Sequence, residues 1–158
     1  MWNDYALARA LHVLAIVMWV GGVGFVTTVL IPAIRRRFPA DQQYAMFEDV
    51  EHRFGAQARF WVLLALASAG WMLHSTDSWA RLRDTGWLHL ILAAWLPFFL
   101  MLFVLEPFIV HRWLKQRAQR DSAGTMARVQ WLHVALLGLS LAAVLAGVVG
   151  AHGGWRLV

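Results

Sequence analysis

The residues best equipped for chemistry in this chain are its seven histidines and a carboxylate set late in an apolar run. There is no cysteine. Thiolate nucleophiles, disulfides, iron–sulfur clusters and cysteine zinc sites are therefore excluded, and a metal or haem iron must be held by His, Met or carboxylate. Neutral imidazole suits haem iron, copper and zinc. His12, His74, His89 and His152 each stand near one end of a different apolar run. A single histidine at a helix end is ordinarily an interfacial side chain, but four at similar depth make a candidate ligand set. Bis-histidine haem needs imidazoles on facing helices with small residues beside them. Gly21, Gly22, Gly24, Ala93 and Ala94 offer that room, and Arg9, Arg81 and Arg83 offer cations for the propionates. Copper is the alternative. Soft thioethers select Cu(I), and Met18 and Met72 are the methionines placed to help, although no Met-x-x-Met motif is present.

A second group sits at the other end of the runs. Glu106 precedes Pro107, and Arg59, His111, Arg112 and His133 are its candidate partners. A carboxylate inside a span needs a partner. One reading is an ion pair that locks the helices. The other is a proton relay or quinone contact in which Glu106 and His133 exchange protons. A second haem on His111 and His133 is a further alternative. His89 and His111 lie ~33 Å apart along a helix at 1.5 Å per residue, so they cannot serve one site.

These residues need elements to position them. Of the 158 residues, 60% are apolar and 15% charged, and the mean hydropathy is +0.56. Soluble domains carry roughly 25% charge. The composition predicts a membrane protein, and the chain accommodates four spans of ~20 residues each. The apolar runs predict spans over about 7–34, 58–74, 87–110 and 129–151, with Pro97 inside the third. A helix satisfies its own backbone in lipid, so the expected fold is an all-α integral membrane protein: one domain, an antiparallel four-helix transmembrane bundle. The first run is too long for a cleavable signal and is expected to stay as a span.

Charge sets the direction. Net charge is +5. Arg35, Arg36, Arg37, Arg53 and Arg59 surround the first loop, and Arg112, Lys115, Arg117, Arg120 and Arg128 surround the third. The second loop has only Arg81 and Arg83. The basic loops are expected to be cytoplasmic, with both termini outside, in the inner membrane of a bacterium. Because the basic residues lie in loops between apolar runs, lipid rather than nucleic acid is the expected partner. Trp2, Trp71, Trp79, Trp87 and Trp155 fall near one boundary and Trp61, Trp113 and Trp131 near the other, as in an interfacial belt. Trp19 and Trp95 are expected inside. Pro39 and Asp41 start a short amphipathic helix over about 40–54 that leads into span two, with Phe47, Val50 and Phe54 on one face, expected to lie on the bilayer surface, a partner-binding helix being the alternative. Residues 115–128 read as a solvated connection. Gly138, Ala142, Ala146 and Gly150 recur every four residues and admit a close helix neighbour, within the bundle, in a homodimer or from a partner membrane subunit.

Two motifs carry a resemblance. His12 and Trp19 lie in LHVLAIVMWVGG, a His-x6-Trp-x-Gly-Gly pattern, and span three opens with GWLH, Gly86 to His89. The chain resembles the small four-helix membrane proteins related to the copper-resistance CopD domain and the HemJ-type protoporphyrinogen oxidases. The resemblance covers most of the chain as four spans, and its motifs about 20 residues. It implies b-type haem, with His12 and His89 as the first ligand candidates. Ile91 stands where HemJ-type proteins have a lysine, and the Asn-Glu pair of their last span is absent after Arg128. Protoporphyrinogen oxidation is therefore not expected, and stand-alone CopD-like proteins are the nearer match. For CopD itself the implication is copper movement, with His12 and His152 as metal contacts.

The expected function is thus a membrane b-haem protein passing electrons between a membrane donor such as quinol and an acceptor outside. His12 and His89 would be the ligands and His74 or His152 the substitutes. Copper transport and a cofactor-free accessory subunit are the alternatives.

Overall fold

The computed structural model describes residues 3–153, with backbone alone for 107, 109–112 and 115. Trp2, Trp155 and Arg156 fall outside this range. The described residues are overwhelmingly helical, with no strand among them. Helix α1 spans Asp4–Arg37, α2 Ala40–Ser75 and α3 Arg81–Asp84. Helix α4, Gly86–Leu100, runs on through a π-helical stretch, Met101–Val110, into α5, His111–Arg120. Helix α6 spans Ser122–Ala151. Four of these helices are long and apolar enough to cross a membrane.

Local chemistry explains the boundaries. Asn3 caps α1, its side-chain oxygen accepting from the N–H groups of Tyr5 and Ala6, and Asp121 caps α6 by accepting from Gly124 N–H. Such caps satisfy donors that a helix start leaves open. Two prolines disturb the ladders. Pro32 follows a π-helical turn, Val26–Leu30. In that turn the hydroxyls of Thr27 and Thr28 donate back to the carbonyls of Val23 and Gly24, a bond that bends helices. Pro107 lies within the second π stretch. In π register the Leu102 carbonyl would accept from residue 107, which as proline has no N–H. The Arg59 Nε–H donates to that carbonyl instead, at 3.0 Å.

The helix contacts are specific. Gly22 on α1 faces the Phe54 ring of α2, and His12 faces Ala65. Gly24 meets Leu137 of α6. On α6, Gly147 meets Ile91 and Gly150 meets Trp87, both from α4. Only part of the small-residue stripe serves this packing, for Gly138 and Ala142 face outward.

Two clusters of buried residues form. One joins Val26, Ile31, Ile34, Tyr44, Phe47, Met126 and Val129. The other joins Trp19, Val23, Val62 and Phe98, with the Trp19 edge 4.7 Å from the Phe98 ring. Elsewhere large apolar side chains point outward: Val17, Phe60, Trp131 and Leu145 are each more than half exposed.

The amphipathic segment leads into the second span within one 36-residue helix, with Tyr44 and Phe47 buried and Val50 exposed. One expectation changes: residues 115–128 are not an open connection. They are helical on both sides of Asp121, the Asp121 cap restarts the helix there, and the Ser122 hydroxyl donates to the Ala40 carbonyl.

Candidate functional site

His12 sits half-buried between α1 and α2. Its Nδ1 is 2.9 Å from the Ala65 carbonyl and 3.2 Å from the Ser68 hydroxyl. A carbonyl only accepts, so Nδ1 carries the proton. In the neutral ring Nε2 then keeps its lone pair. Ser68 is itself fixed by donating to the Leu64 carbonyl at 2.6 Å. A carbonyl bonded to Nδ1 in this way fixes the ring and leaves Nε2 able to accept a bond.

The other three histidines at this end are set differently. His89 is exposed, and its Nε2 donates to the Leu82 carbonyl at 2.6 Å. His74 is exposed beside Trp71. His152 is exposed and bonded through Nδ1 to the Val148 carbonyl. Among the described residues no three His, Asp or Glu side chains gather to hold a metal ion. Arg9, Arg81 and Arg83 are exposed, Arg83 pairing with Asp84. Ala94 is buried while Ala93 and Met18 face outward.

The opposite end is more tightly built. The Arg59 guanidinium pairs with Glu106 at 2.9 Å while its Nε–H donates to the Leu102 carbonyl. Arg59, one of the four expected partners of Glu106, thus pairs with it; the side chains of His111 and Arg112 lie outside the described residues. Gly55 makes the pair feasible, since a Cβ there would press on a Glu106 oxygen at 2.9 Å. Next to the pair is a cavity of about 80 Å³. Its lining includes Trp19, Glu51, Phe98, Glu106 and His133. His133 donates from Nδ1 to the Val129 carbonyl at 2.9 Å, so its Nε2 is the accepting nitrogen, and Phe47 packs edge-on against its ring.

Glu51 lies ahead of the apolar stretch 58–74. Burial pushes its carboxyl up to about 7; the Glu106 carboxylate adds to the rise, Arg59 opposes it, and Glu48 adds a smaller increment. Burial likewise raises the Tyr44 phenol, with Glu48 and Glu51 contributing.

The sequence pointed to Glu106 and His133, and both line this cavity. It did not single out Glu51 or the Trp19 indole N–H. A signal existed for Glu51. Tyr44, Phe47, Glu51, Phe54, Ala58, Val62 and Ala65 follow three-and-four spacing, so Glu51 occupies an inward position on an otherwise apolar stripe.

No protein-family model matches the sequence, and neither a curated protein nor a solved structure matches it.

Proposed function

We propose that the chain is an integral membrane electron-transfer protein of the bacterial inner membrane, an antiparallel four-helix bundle holding a b-type haem at its outer end. The observation that carries the reading is His12: its Nδ1–H is committed to the Ala65 carbonyl, and the nitrogen left with a lone pair is the one an axial ligand needs. The fit to a b-type haem is through this one residue. His89 ligates through Nε2 only by giving up its bond to Leu82. When bound, the group would supply one-electron transfer between a membrane donor such as quinol and an acceptor outside. His12 would hold the iron, and Ser68 and Ala65 would fix the ring.

The antiparallel arrangement is supported by the contact order, in which positions 12 and 22 meet 65 and 54. Helix lengths support the membrane placement. A 30 Å hydrocarbon layer takes about 20 residues, whereas α1 and α2 have 34 and 36. About 15 residues of each therefore extend beyond the layer. Arg35, Arg36, Arg37, Glu48, Asp49, Glu51 and Arg53 lie in that extension, and its basic residues support a cytoplasmic position for it, with the termini outside.

The test is an optical spectrum of detergent-purified protein from haem-supplied cells, oxidised and then reduced with dithionite. A Soret band with sharp reduced α and β bands, lost in His12→Ala, is the expected result. A colourless protein, or a His12→Ala variant with full haem content, overturns it. Copper analysis of a colourless preparation then separates the transport alternative from the accessory one.

A further inference from the structure

The cavity beside Glu106 has walls from four directions: Trp19 and Val23 of α1, Glu51 and Gly55 of α2, Glu106 of the π stretch, and His133 of α6. Size narrows its occupant. At about 80 Å³ it is several times the ~10–15 Å³ that one water needs, and well under the ~150 Å³ of a cavity that takes up benzene. A quinone ring does not fit; a few waters do. Apolar cavities stay dry, but polar groups converging on a cavity hold water.

Trp19 points to such water independently of the carboxylates. It is 5% exposed, it lines the cavity, and its indole N–H is buried with no acceptor among the described residues. An unmet buried donor costs ~1–3 kcal/mol, a cost that an occupant with a lone pair removes.

We propose that this cavity is a hydrated proton-holding site, in which water accepts from the Trp19 indole N–H and carries a proton between the Glu51 carboxyl and His133 Nε2. The exchange balances within the chain: Glu51 loses the proton and becomes carboxylate, and His133 gains it and becomes imidazolium. The two carboxyls then have separate parts. Glu106 is paired by Arg59; Glu51 carries the mobile proton. The charged and titratable groups around Glu51 are Tyr44, Glu48 and Arg59 on its own helix, Glu106 on the π stretch and His133 on α6. Among the described residues, the cavity wall takes Trp19 and Val23 from α1 and Leu114 from α5. The site does not depend on His12 or on a bound haem, so a colourless protein leaves it standing.

Infrared spectra of the purified full chain in detergent, stepped through pH with and without D2O, test it. A protonated carboxyl band that shifts in D2O should disappear with a midpoint near 7 and be missing in Glu51→Gln. Trp19→Phe keeps the ring but removes the N–H. It should move the midpoint upward by a fraction of a pH unit to one unit, because the charged form loses solvation. Glu106→Gln should move it downward. Absence of any carboxyl band titrating near neutrality overturns the proposal, as does a band unchanged in Glu51→Gln. A midpoint untouched by Trp19→Phe overturns the role of the indole, and that variant remains informative if Glu51→Gln does not fold.

Discussion

Around Val26, Ile31, Phe47 and Met126 the helices pack as they do in a water-soluble protein, with Ile31 and Met126 fully enclosed. Toward the helix ends that carry His12 and His152 the pattern inverts. The buried positions there are small, such as Ala8, Ala15, Ala65, Ser68 and Ala94, and the large side chains of Leu14, Val17, Leu66 and Leu145 point outward. One chain has thus solved packing twice. In water, burial of large apolar groups drives association. In lipid that drive is missing, and small residues that let backbones approach take its place. The boundary between the two regimes falls where Arg59, Glu106, Glu51 and His133 gather.

Substitutions can break or sharpen this contrast. The largest effect is expected in the inner core. Phe47→Ala should cost ~3–5 kcal/mol, read as a lowered unfolding midpoint in detergent, whereas Leu145→Ala in the other region should cost close to nothing. Equal losses at the two positions would erase the distinction between the regions. At the boundary, Arg59→Met removes the ion pair to Glu106 and the bond to the Leu102 carbonyl and should cost ~1–3 kcal/mol. Glu106→Gln in the same background should recover part of it.

The boundary should also respond to pH. Glu51 has its folded carboxyl raised from an ordinary 4.5 to about 7, so the folded chain holds a proton that the unfolded chain releases earlier. The stability this contributes is complete below about 4.5 and is lost as the pH rises through about 7. Thermal unfolding across that window should show the decline, and Glu51→Gln should flatten it. The smallest effect is at the α6 start: Asp121→Ala removes the acceptor for Gly124 N–H and should cost ~0.5–2 kcal/mol.

Much of this was legible beforehand. Apolar run length gave four helices able to cross a membrane, because nothing but a span or a very large core explains such runs. Glu106 and Arg59 were legible as partners because an ion in an apolar run needs one. Two features were not. The helical character of 115–128 was hidden because its polar residues face water. The orientation of His89 turns on a single bond to Leu82, a carbonyl seven residues away, which no periodicity reports. His12 and His89 look alike as sequence, and only the seam between α1 and α2 distinguishes them.

The bonds that tie α6 to α1 have a bearing on how the molecule is made. Gln130 donates to the Thr27 carbonyl and Thr27 to that of His133, links spanning 103 and 106 residues of chain. Met126 and Val129 enter the same core from that distance. During synthesis the hairpin of α1 and α2 is therefore in place, with Val26, Ile31 and Phe47 uncovered, long before the ribosome supplies the helix that covers them. A nascent chain at that stage displays the apolar surface that α6 later covers, and chaperones or proteases have that interval in which to recognise it.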